Sequence, residues 1–311
     1  MKIAHVGYVL SESEFTATKG GDPSFLLSVF SDSVNIWLMA LTAIIVIGGL
    51  VVFSRSTFGR RVLVGVQSHA KDYAMLYPWI ARLSLGIAFI GAGSAHTLLT
   101  PAFETNEVLS FVQLVVGFCL LAGLATFPAV LVAIGIFLYA LTQDLYFLGN
   151  LDYLALMFVL LVWGSTRPGV DHLFGIGIPK IFPAGKAYAL LVLRVAIGVG
   201  MAYLALVEKF LNPRAMEMVI QTFDLMNVVP VTSAMWVFGT GVIELLIAAC
   251  LFLGFQTRFA AGAAALVLTL SFFFFGEEVY SHVTLFGVMS ILFVAGAGAW
   301  SLDAWIEKRA R

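Results

Sequence analysis

Residues 235–253 read MWVFGTGVIELLIAACLFL, a run long enough and apolar enough to cross a membrane, broken by one carboxylate at Glu244. An α-helix needs about 20 predominantly apolar residues to span the hydrocarbon core of a bilayer. The whole chain shares this character, since 61% of its 311 residues are hydrophobic and only 11% are charged. Charged residues make up about 25% of an ordinary soluble domain, so the composition predicts an integral membrane protein surrounded by lipid.

Nine apolar runs are long enough to span a membrane, provided that helices inside a bundle can be somewhat short. We therefore expect an all-α integral membrane protein with nine transmembrane helices. The predicted helices lie at 35–54, 77–99, 108–125, 128–143, 147–163, 188–209, 235–253, 259–275 and 282–299.

The basic residues predict how these helices are oriented, because Lys and Arg favour the cytoplasmic side of a membrane. With the N-terminus outside, most basic residues fall on the inner side, including those of the C-terminal EKRAR at 307–311. Only Lys2, Lys19, Lys209 and Arg214 fall on the outer side. The N-terminal residues lack the basic start and apolar core of a secretory signal, so we expect the first helix to insert uncleaved.

Three segments of the first half recur in the same order in the second half. The pairs are RLSLG (82–86) with RVAIG (194–198), QLVVGFCLLAGLAT (113–126) with ELLIAACLFLGFQT (244–257), and GSTRPGVD (164–171) with GAGAWSLD (296–303). Each repeat holds four predicted helices, so both units should run through the membrane in the same direction. The leading helix is an addition to this duplicated unit.

The repeat predicts the domain organisation of the chain. In order, we expect an extracytoplasmic segment at 1–34, a leading transmembrane helix at 35–56, a first four-helix unit at 77–172, a cytoplasmic linker at 173–187, a second four-helix unit at 188–304 and a basic cytoplasmic tail at 305–311.

The second unit resembles the DoxX/DoxD family of four-helix membrane proteins. The resemblance rests on LRVAIGVGMAYLALVEKFLNP (193–213), GVIELLIAACLFLGFQTRFAA (241–261) and AGAGAWSLDAW (295–305). The positions that match the family pattern are Arg194, Gly198, Lys209, Gly241, Glu244, Gly296, Gly298, Ser301 and Asp303. The first unit is a weaker match, because Gln113 replaces the Glu and Thr97 occupies the Lys position.

The resemblance implies a membrane subunit associated with quinone-linked redox chemistry, in the plasma membrane of a prokaryote. One branch of the family is a membrane subunit of thiosulfate:quinone oxidoreductase, so a quinone is the implied cofactor and other redox subunits are the implied partners. As an enzyme, the chain would be at most a membrane component of a quinone-linked oxidoreductase. Two alternatives stay open: a non-catalytic accessory or assembly subunit of a larger membrane complex, and a small-solute transporter with its site between parallel repeats.

Glu244 and Arg194 are the first candidate site residues. Counted at 1.5 Å per residue from opposite faces, Glu244 should lie ~14 Å deep and Arg194 ~9 Å deep, which leaves a vertical gap of roughly 7 or 8 Å in a ~30 Å core. Because an unpaired charge at that depth is costly, we expect an Arg194/Glu244 ion pair, with Arg82/Gln113 as its weakened equivalent. The pair either only fixes helix packing or forms a proton or quinone-headgroup site.

A second polar cluster is expected at the outer helix ends. Its members are His96, Glu208, Lys209, Glu277, Glu278, Tyr280 and His282. These residues either shuttle protons or are ordinary interfacial polarity, and Lys209 and His282 are the most buried by position. The predicted catalytic residues are therefore Glu244, Arg194, His282 and Lys209, with Glu244 and Arg194 also predicted to bind the cofactor.

Other kinds of site are not indicated by the sequence. We find no metal-ligand spacing, no nucleotide-binding loop and no basic field typical of nucleic-acid binding, with a formal net charge of −1. Cys119 and Cys250 match across the repeats and are expected to pack between helices. The outer loop at 212–230 has apolar residues at helical spacing, which predicts an amphipathic helix in the membrane interface.

Overall fold

A computed structural model of the protein describes residues 22, 24–59, 61, 65, 73–163, 168–177, 183–275 and 278–310. Within these ranges the chain is helical, and the described backbone has no β structure beyond one isolated antiparallel bridge between Thr97 and Glu104. The predicted all-α class is therefore confirmed.

Seven helices lie in the first half of the chain. They are α1 (Ser24–Ser31), α2 (Ser33–Arg55), α3 (Tyr77–Ser94), α4 (Glu107–Ala122), α5 (Thr126–Gln143), α6 (Leu151–Trp163) and α7 (Val170–Leu173). A 3-10 turn at Leu145–Asn150 leads directly into α6.

Seven more helices lie in the second half. They are α8 (Ala189–Ala205), α9 (Pro213–Thr222), α10 (Leu225–Val228), α11 (Ser233–Leu253), α12 (Thr257–Phe275), α13 (Val283–Ala295) and α14 (Leu302–Ala310). A π-helical turn at Leu206–Phe210 extends α8.

Each predicted membrane helix coincides with a helix of the structure. Within the described residues, 5 helical stretches are long and apolar enough to cross a membrane. They are Ala74–Ser94, Thr126–Gln143, Leu145–Trp163, Ala184–Phe210 and Ser233–Leu253. The other apolar helical stretches, at Ser33–Ile45, Glu107–Ala122, Thr257–Phe272 and Val283–Ala295, are shorter. The chain is thus a multi-pass membrane protein.

The helices of the two halves pack into one bundle. In each predicted four-helix unit the first helix packs closely on the second, α3 on α4 and α8 on α11. Across the halves, α8 packs on α6 and α3 packs on α13. Glycine makes the close approaches possible, since a Cβ on Gly86 would lie 3.0 Å from the Gly117 carbonyl oxygen and one on Gly198 would lie 2.9 Å from that of Ala248.

The predicted amphipathic helix in the 212–230 segment is present as α9. Its apolar residues Val219 and Ile220 are buried together with Phe25 and Val29 of α1 and Val237 of α11. The apolar face of α9 is therefore covered by protein, where the sequence predicted contact with the membrane interface.

Candidate functional site

Arg194 is held at the corner where α11 meets α12. Its side chain is fully buried and donates hydrogen bonds to the carbonyl oxygens of Leu251 (3.4 Å), Phe252 (3.1 Å) and Trp300. Gly254 turns the chain at φ +67°, and a Cβ there would lie 2.2 Å from Arg194 Nη1. The guanidinium thus fills the space that the glycine leaves and satisfies carbonyl groups at the end of α11.

Asp303 completes this corner from the other side. Its two carboxylate oxygens accept hydrogen bonds from the backbone N–H groups of Gln256 (2.7 Å) and Thr257 (3.1 Å). These donors open α12, where a carboxylate is favoured by the unpaired N–H groups and the helix dipole. Asp303 is therefore an N-terminal cap supplied by a distant part of the chain.

The first half contains a corner of the same construction. Arg82 donates to the Pro168 carbonyl oxygen, and a Cβ on Gly123 (φ +65°) would lie 2.3 Å from Arg82 Nη1. Asp171 accepts from the N–H groups of Ala125 (2.7 Å) and Thr126 (2.8 Å). The sequence repeat pairs Arg82 with Arg194, Gly123 with Gly254 and Asp171 with Asp303, so the two corners use matching residues. Gly164, which the repeat pairs with Gly296, lies outside the described residues.

The predicted Arg194/Glu244 ion pair is wrong. Arg194 contacts carbonyls that lie seven and eight residues beyond Glu244 on α11, which is ~10–12 Å along the helix axis. The guanidinium is solvated by backbone carbonyls, its charge interacts with the Asp303 carboxylate, and Glu244 pairs with Lys209. The expected Arg82/Gln113 contact fails in the same way, because Gln113 bonds the backbone near Thr97.

Glu244 and Lys209 form an ion pair between α11 and the π-helical turn after α8. Lys209 Nζ lies 2.8 Å from Glu244 Oε2. The Lys209 side chain is 6% exposed and that of Glu244 is 28% exposed, so the carboxylate is the accessible end of the pair. Single turns of π-helix occur frequently at functional sites, and here the turn brings the adjacent residues Glu208 and Lys209 into the protein interior together.

The pair continues into the first half of the chain through Glu208, whose side chain is fully buried. Lys209 Nζ lies 3.5 Å from Glu208 Oε2, and the Tyr146 hydroxyl donates a hydrogen bond to Glu208 Oε1. We call the four residues Tyr146, Glu208, Lys209 and Glu244 the Lys209 network. Tyr146 was not predicted, since a tyrosine within an apolar aromatic run carries no sequence signal of this contact.

The charges within the Lys209 network do not balance. One ammonium faces two carboxylates, so the ionised network holds one more negative charge than positive charge. The excess negative charge is unfavourable at membrane depth. Glu244 is the more exposed of the two carboxylates, since its side chain is 28% exposed and that of Glu208 is fully buried.

In the first half, the position that the repeat pairs with Glu244 is Gln113, a neutral amide. The Gln113 side-chain amide donates to the Thr97 carbonyl oxygen (2.8 Å), and its oxygen accepts from the Leu99 N–H (3.0 Å). Gln113 therefore contacts the position that the repeat pairs with Lys209, as Glu244 does in the second half.

Replacing Gln113 by leucine is expected to destabilise the protein by about 1–3 kcal/mol. The leucine fills a similar volume but leaves a buried N–H and a buried carbonyl without their partner. Unfolding by SDS in mixed micelles measures the change, and Gln113→Glu should destabilise as well because Thr97 offers no cation. Wild-type stability of Gln113→Leu would contradict the bonding described here.

Apart from Glu208 and Lys209, the described members of the outer polar cluster form no ion pair with Glu244. His282 is 1% exposed, with Nδ1 2.6 Å from the Ser281 hydroxyl. A cavity of about 620 Å³ brings together three predicted cluster members, His96, Glu278 and Tyr280. Burial raises the pKa of the Tyr280 hydroxyl, which lies 3.3 Å from that of Thr97. Glu277 lies outside the described residues.

The lining of this cavity includes neither Glu244 nor Arg194. In the part of the chain that the structure describes, His, Cys, Asp and Glu form no group arranged to hold a metal ion. Cys119 and Cys250 are free thiols packed against the core. The Lys209 network is therefore taken as the candidate site, because two predicted catalytic residues, Lys209 and Glu244, are in direct contact there.

Comparison with known proteins gives one family. Searches of curated proteins and of solved structures returned no match. A family model described as DoxX matches residues 189–277, a segment that contains Arg194, Lys209 and Glu244 and stops before His282. The protein is thus a multi-pass membrane protein in which residues 189–277 are similar to the DoxX family.

Proposed function

We propose that this protein is a membrane subunit of a quinone-linked redox system and that Glu244 exchanges protons with the quinone headgroup. The observation that supports the proposal is the Lys209 network, in which a partly exposed carboxylate on a membrane helix connects to buried polar groups. Intramembrane ionisable residues are rare and commonly mark proton or substrate pathways.

The network supplies the parts that such chemistry needs. Reduction of a quinone takes up protons with the electrons, so a protonatable group must reach the headgroup within the membrane. Glu244 would hold or release that proton, and Lys209 would fix the carboxylate at 2.8 Å. Glu208 and Tyr146 extend the chain of polar groups inward. Electrons would come from partner redox subunits, as the resemblance to the family implies.

The other two predicted catalytic residues, Arg194 and His282, are assigned different roles. Arg194 was predicted to bind the cofactor, but its Nη1 and Nη2 groups donate to backbone carbonyl groups. We assign Arg194 to positioning the end of α11 and assign the headgroup contact to Glu244 and Lys209. His282 stays a predicted proton-transfer group of the outer end.

Purification in mild detergent, followed by mass spectrometry of co-purifying quinones and proteins, tests this function. We expect wild-type protein to retain a quinone and Glu244→Gln to retain about tenfold less, equivalent to a loss of about 1.4 kcal/mol. The glutamine should be tolerated by the fold, because Gln113 occupies the equivalent position. Glu217→Gln on α9 is the matched control and should retain the wild-type amount.

Two outcomes would contradict the proposal. Recovery of stoichiometric partner subunits without any quinone would favour the accessory or assembly subunit. Equal quinone retention by wild type and Glu244→Gln would remove Glu244 from the site.

The proposed architecture has nine membrane helices, with a leading helix followed by two parallel four-helix units that arose by tandem duplication. The two corners support the duplication, since Arg82, Gly123 and Asp171 make the contacts that Arg194, Gly254 and Asp303 make. The excess of basic residues on one side supports an outer N-terminus and a cytoplasmic C-terminus in the plasma membrane of a prokaryote.

A further inference from the structure

A second buried carboxylate, Asp152, lies in the first turn of α6 and takes no part in the Lys209 network. It is 1% exposed, and neither of its oxygens accepts a hydrogen bond from the residues that the structure describes. The side chain of Thr284 on α13 lies beside this carboxyl group. Thr284 is fully buried, and its hydroxyl likewise has no hydrogen-bond partner in the described part of the chain.

The two residues face each other across the contact between the halves. Helix α6 ends the first repeat, α13 ends the second, and the two helices pack together. Asp152 and Thr284 are separated in the sequence by the same interval as Asp171 and Asp303, so they occupy equivalent positions of the two units. Gly287, one turn further along α13, lets α3 approach, since a Cβ there would lie 2.2 Å from the Ser84 hydroxyl. The Asp152 carboxylate is thus enclosed between both halves.

An ionised carboxylate enclosed in this way is stabilised by a compensating positive charge. Burying an ionised carboxylate without a partner is unfavourable by several kcal/mol in proteins, roughly 2.5–3.5 kcal/mol even on a lenient membrane scale. Among the described residues, the ion pairs in the interior belong to the Lys209 network and do not include Asp152. Its place in the first turn of α6 offsets only part of this cost, through the partial positive charge of the helix N-terminus.

We propose that Asp152 and Thr284 form a binding site for a small monovalent cation, with Na⁺ as its occupant. The orphaned atoms are two carboxylate oxygens and one hydroxyl oxygen, a donor set that suits hard cations. A single carboxylate balances a single positive charge, whereas a divalent ion would leave a net positive charge in the interior. Water or backbone carbonyl oxygens would complete the coordination. The bound ion would connect the two halves of the bundle.

The test is thermal unfolding of the full-length protein in detergent, in NaCl or in N-methylglucamine chloride at equal ionic strength and pH. A ligand that binds only the folded state raises the unfolding temperature with its concentration. We expect the Tm of the wild type to rise with Na⁺ and to saturate. Thr284→Val should weaken apparent Na⁺ affinity by about tenfold, and Asp152→Asn should abolish the response.

Two features of the design keep the result interpretable. Asp152→Asn removes an unpaired charge, so it should remain folded and monodisperse and should melt higher than wild type in the absence of Na⁺. Asp144→Asn is the matched control at the same end of the bundle, since asparagine can keep the cap that Asp144 makes with the Tyr146 N–H (2.8 Å), and it should retain the Na⁺ response.

Three results would overturn the site: a wild-type Tm that is equal in both salts, a Na⁺ response that survives in Asp152→Asn, or a Tm that depends on pH and not on Na⁺. The last would show that a proton neutralises Asp152. Because none of these measurements involves a quinone, failure of the cation site leaves the proposed role of Glu244 to its own test.

Discussion

Lys209→Met is expected to destabilise the protein by about 3–5 kcal/mol, the range measured when one partner of a buried ion pair is removed. Methionine keeps the length and apolar stem of lysine but leaves Glu208 and Glu244 facing each other without the ammonium. Glu208 is fully buried, so its charge gains little from solvent. The loss should appear as a lower SDS fraction at the midpoint of unfolding in mixed micelles.

Removing the second charge should restore part of this loss. We expect the double variant Lys209→Met with Glu244→Gln to be more stable than Lys209→Met alone, because one of the two unpaired carboxylates is gone. A double-mutant cycle isolates the coupling between Lys209 and Glu244. Strict additivity of the two substitutions would contradict the 2.8 Å ion pair.

The helices of this protein could be predicted because hydrophobicity alone determines where a chain can cross a bilayer. The largest error in their ends is at α3, which was expected to reach residue 99 and ends at Ser94. The chain there adopts left-handed backbone at His96 (φ 54°) and Leu99 (φ 60°). Left-handed backbone is uncommon for residues other than glycine, so the sequence gives no signal of a turn at these positions. The apolar run therefore led to a predicted helix that is too long.

The site was only partly predictable. Glu244 and Lys209 could be chosen one at a time, since each is an ionisable residue in an apolar run. Their pairing could not, because a depth count places residues along straight helix axes and says nothing about rotation. The π-helical turn changes the direction in which Lys209 leaves the helix axis. Arg194 bonds to backbone carbonyl groups, which are present in every sequence and therefore give no sequence signal.

Asp152 shows a different limit of sequence reasoning. A carboxylate at the start of a predicted helix is an ordinary N-terminal residue, favoured by the helix dipole. Asp152 is buried because α6 packs against helices of both halves, including α13, which begins more than a hundred residues later in the chain. The unusual feature is tertiary, and only the packing of the two halves reveals it.

The corner at Gly254 should tolerate substitution as poorly as Lys209. Gly254→Ala is expected to destabilise the protein by about 2–5 kcal/mol, the sum of left-handed backbone strain and overpacking. The added Cβ would lie 2.2 Å from Arg194 Nη1 and 2.5 Å from Ser301 Cβ. The guanidinium would have to move, and the hydrogen bonds to the end of α11 would be lost with it. Chemical unfolding in mixed micelles measures the change.

Gly262→Ala is the matched control for this prediction. Gly262 lies within α12, where an added Cβ would meet Phe293 at 3.4 Å, an ordinary contact. Alanine is favoured over glycine inside a helix by about 1 kcal/mol, so this variant should be neutral or slightly more stable. If the corners are equivalent, Gly123→Ala should cost as much as Gly254→Ala, because its Cβ would lie 2.3 Å from Arg82 Nη1. If Gly254→Ala strongly lowers the free energy of unfolding and Gly123→Ala does not, the Arg194 corner contributes more to stability than the Arg82 corner.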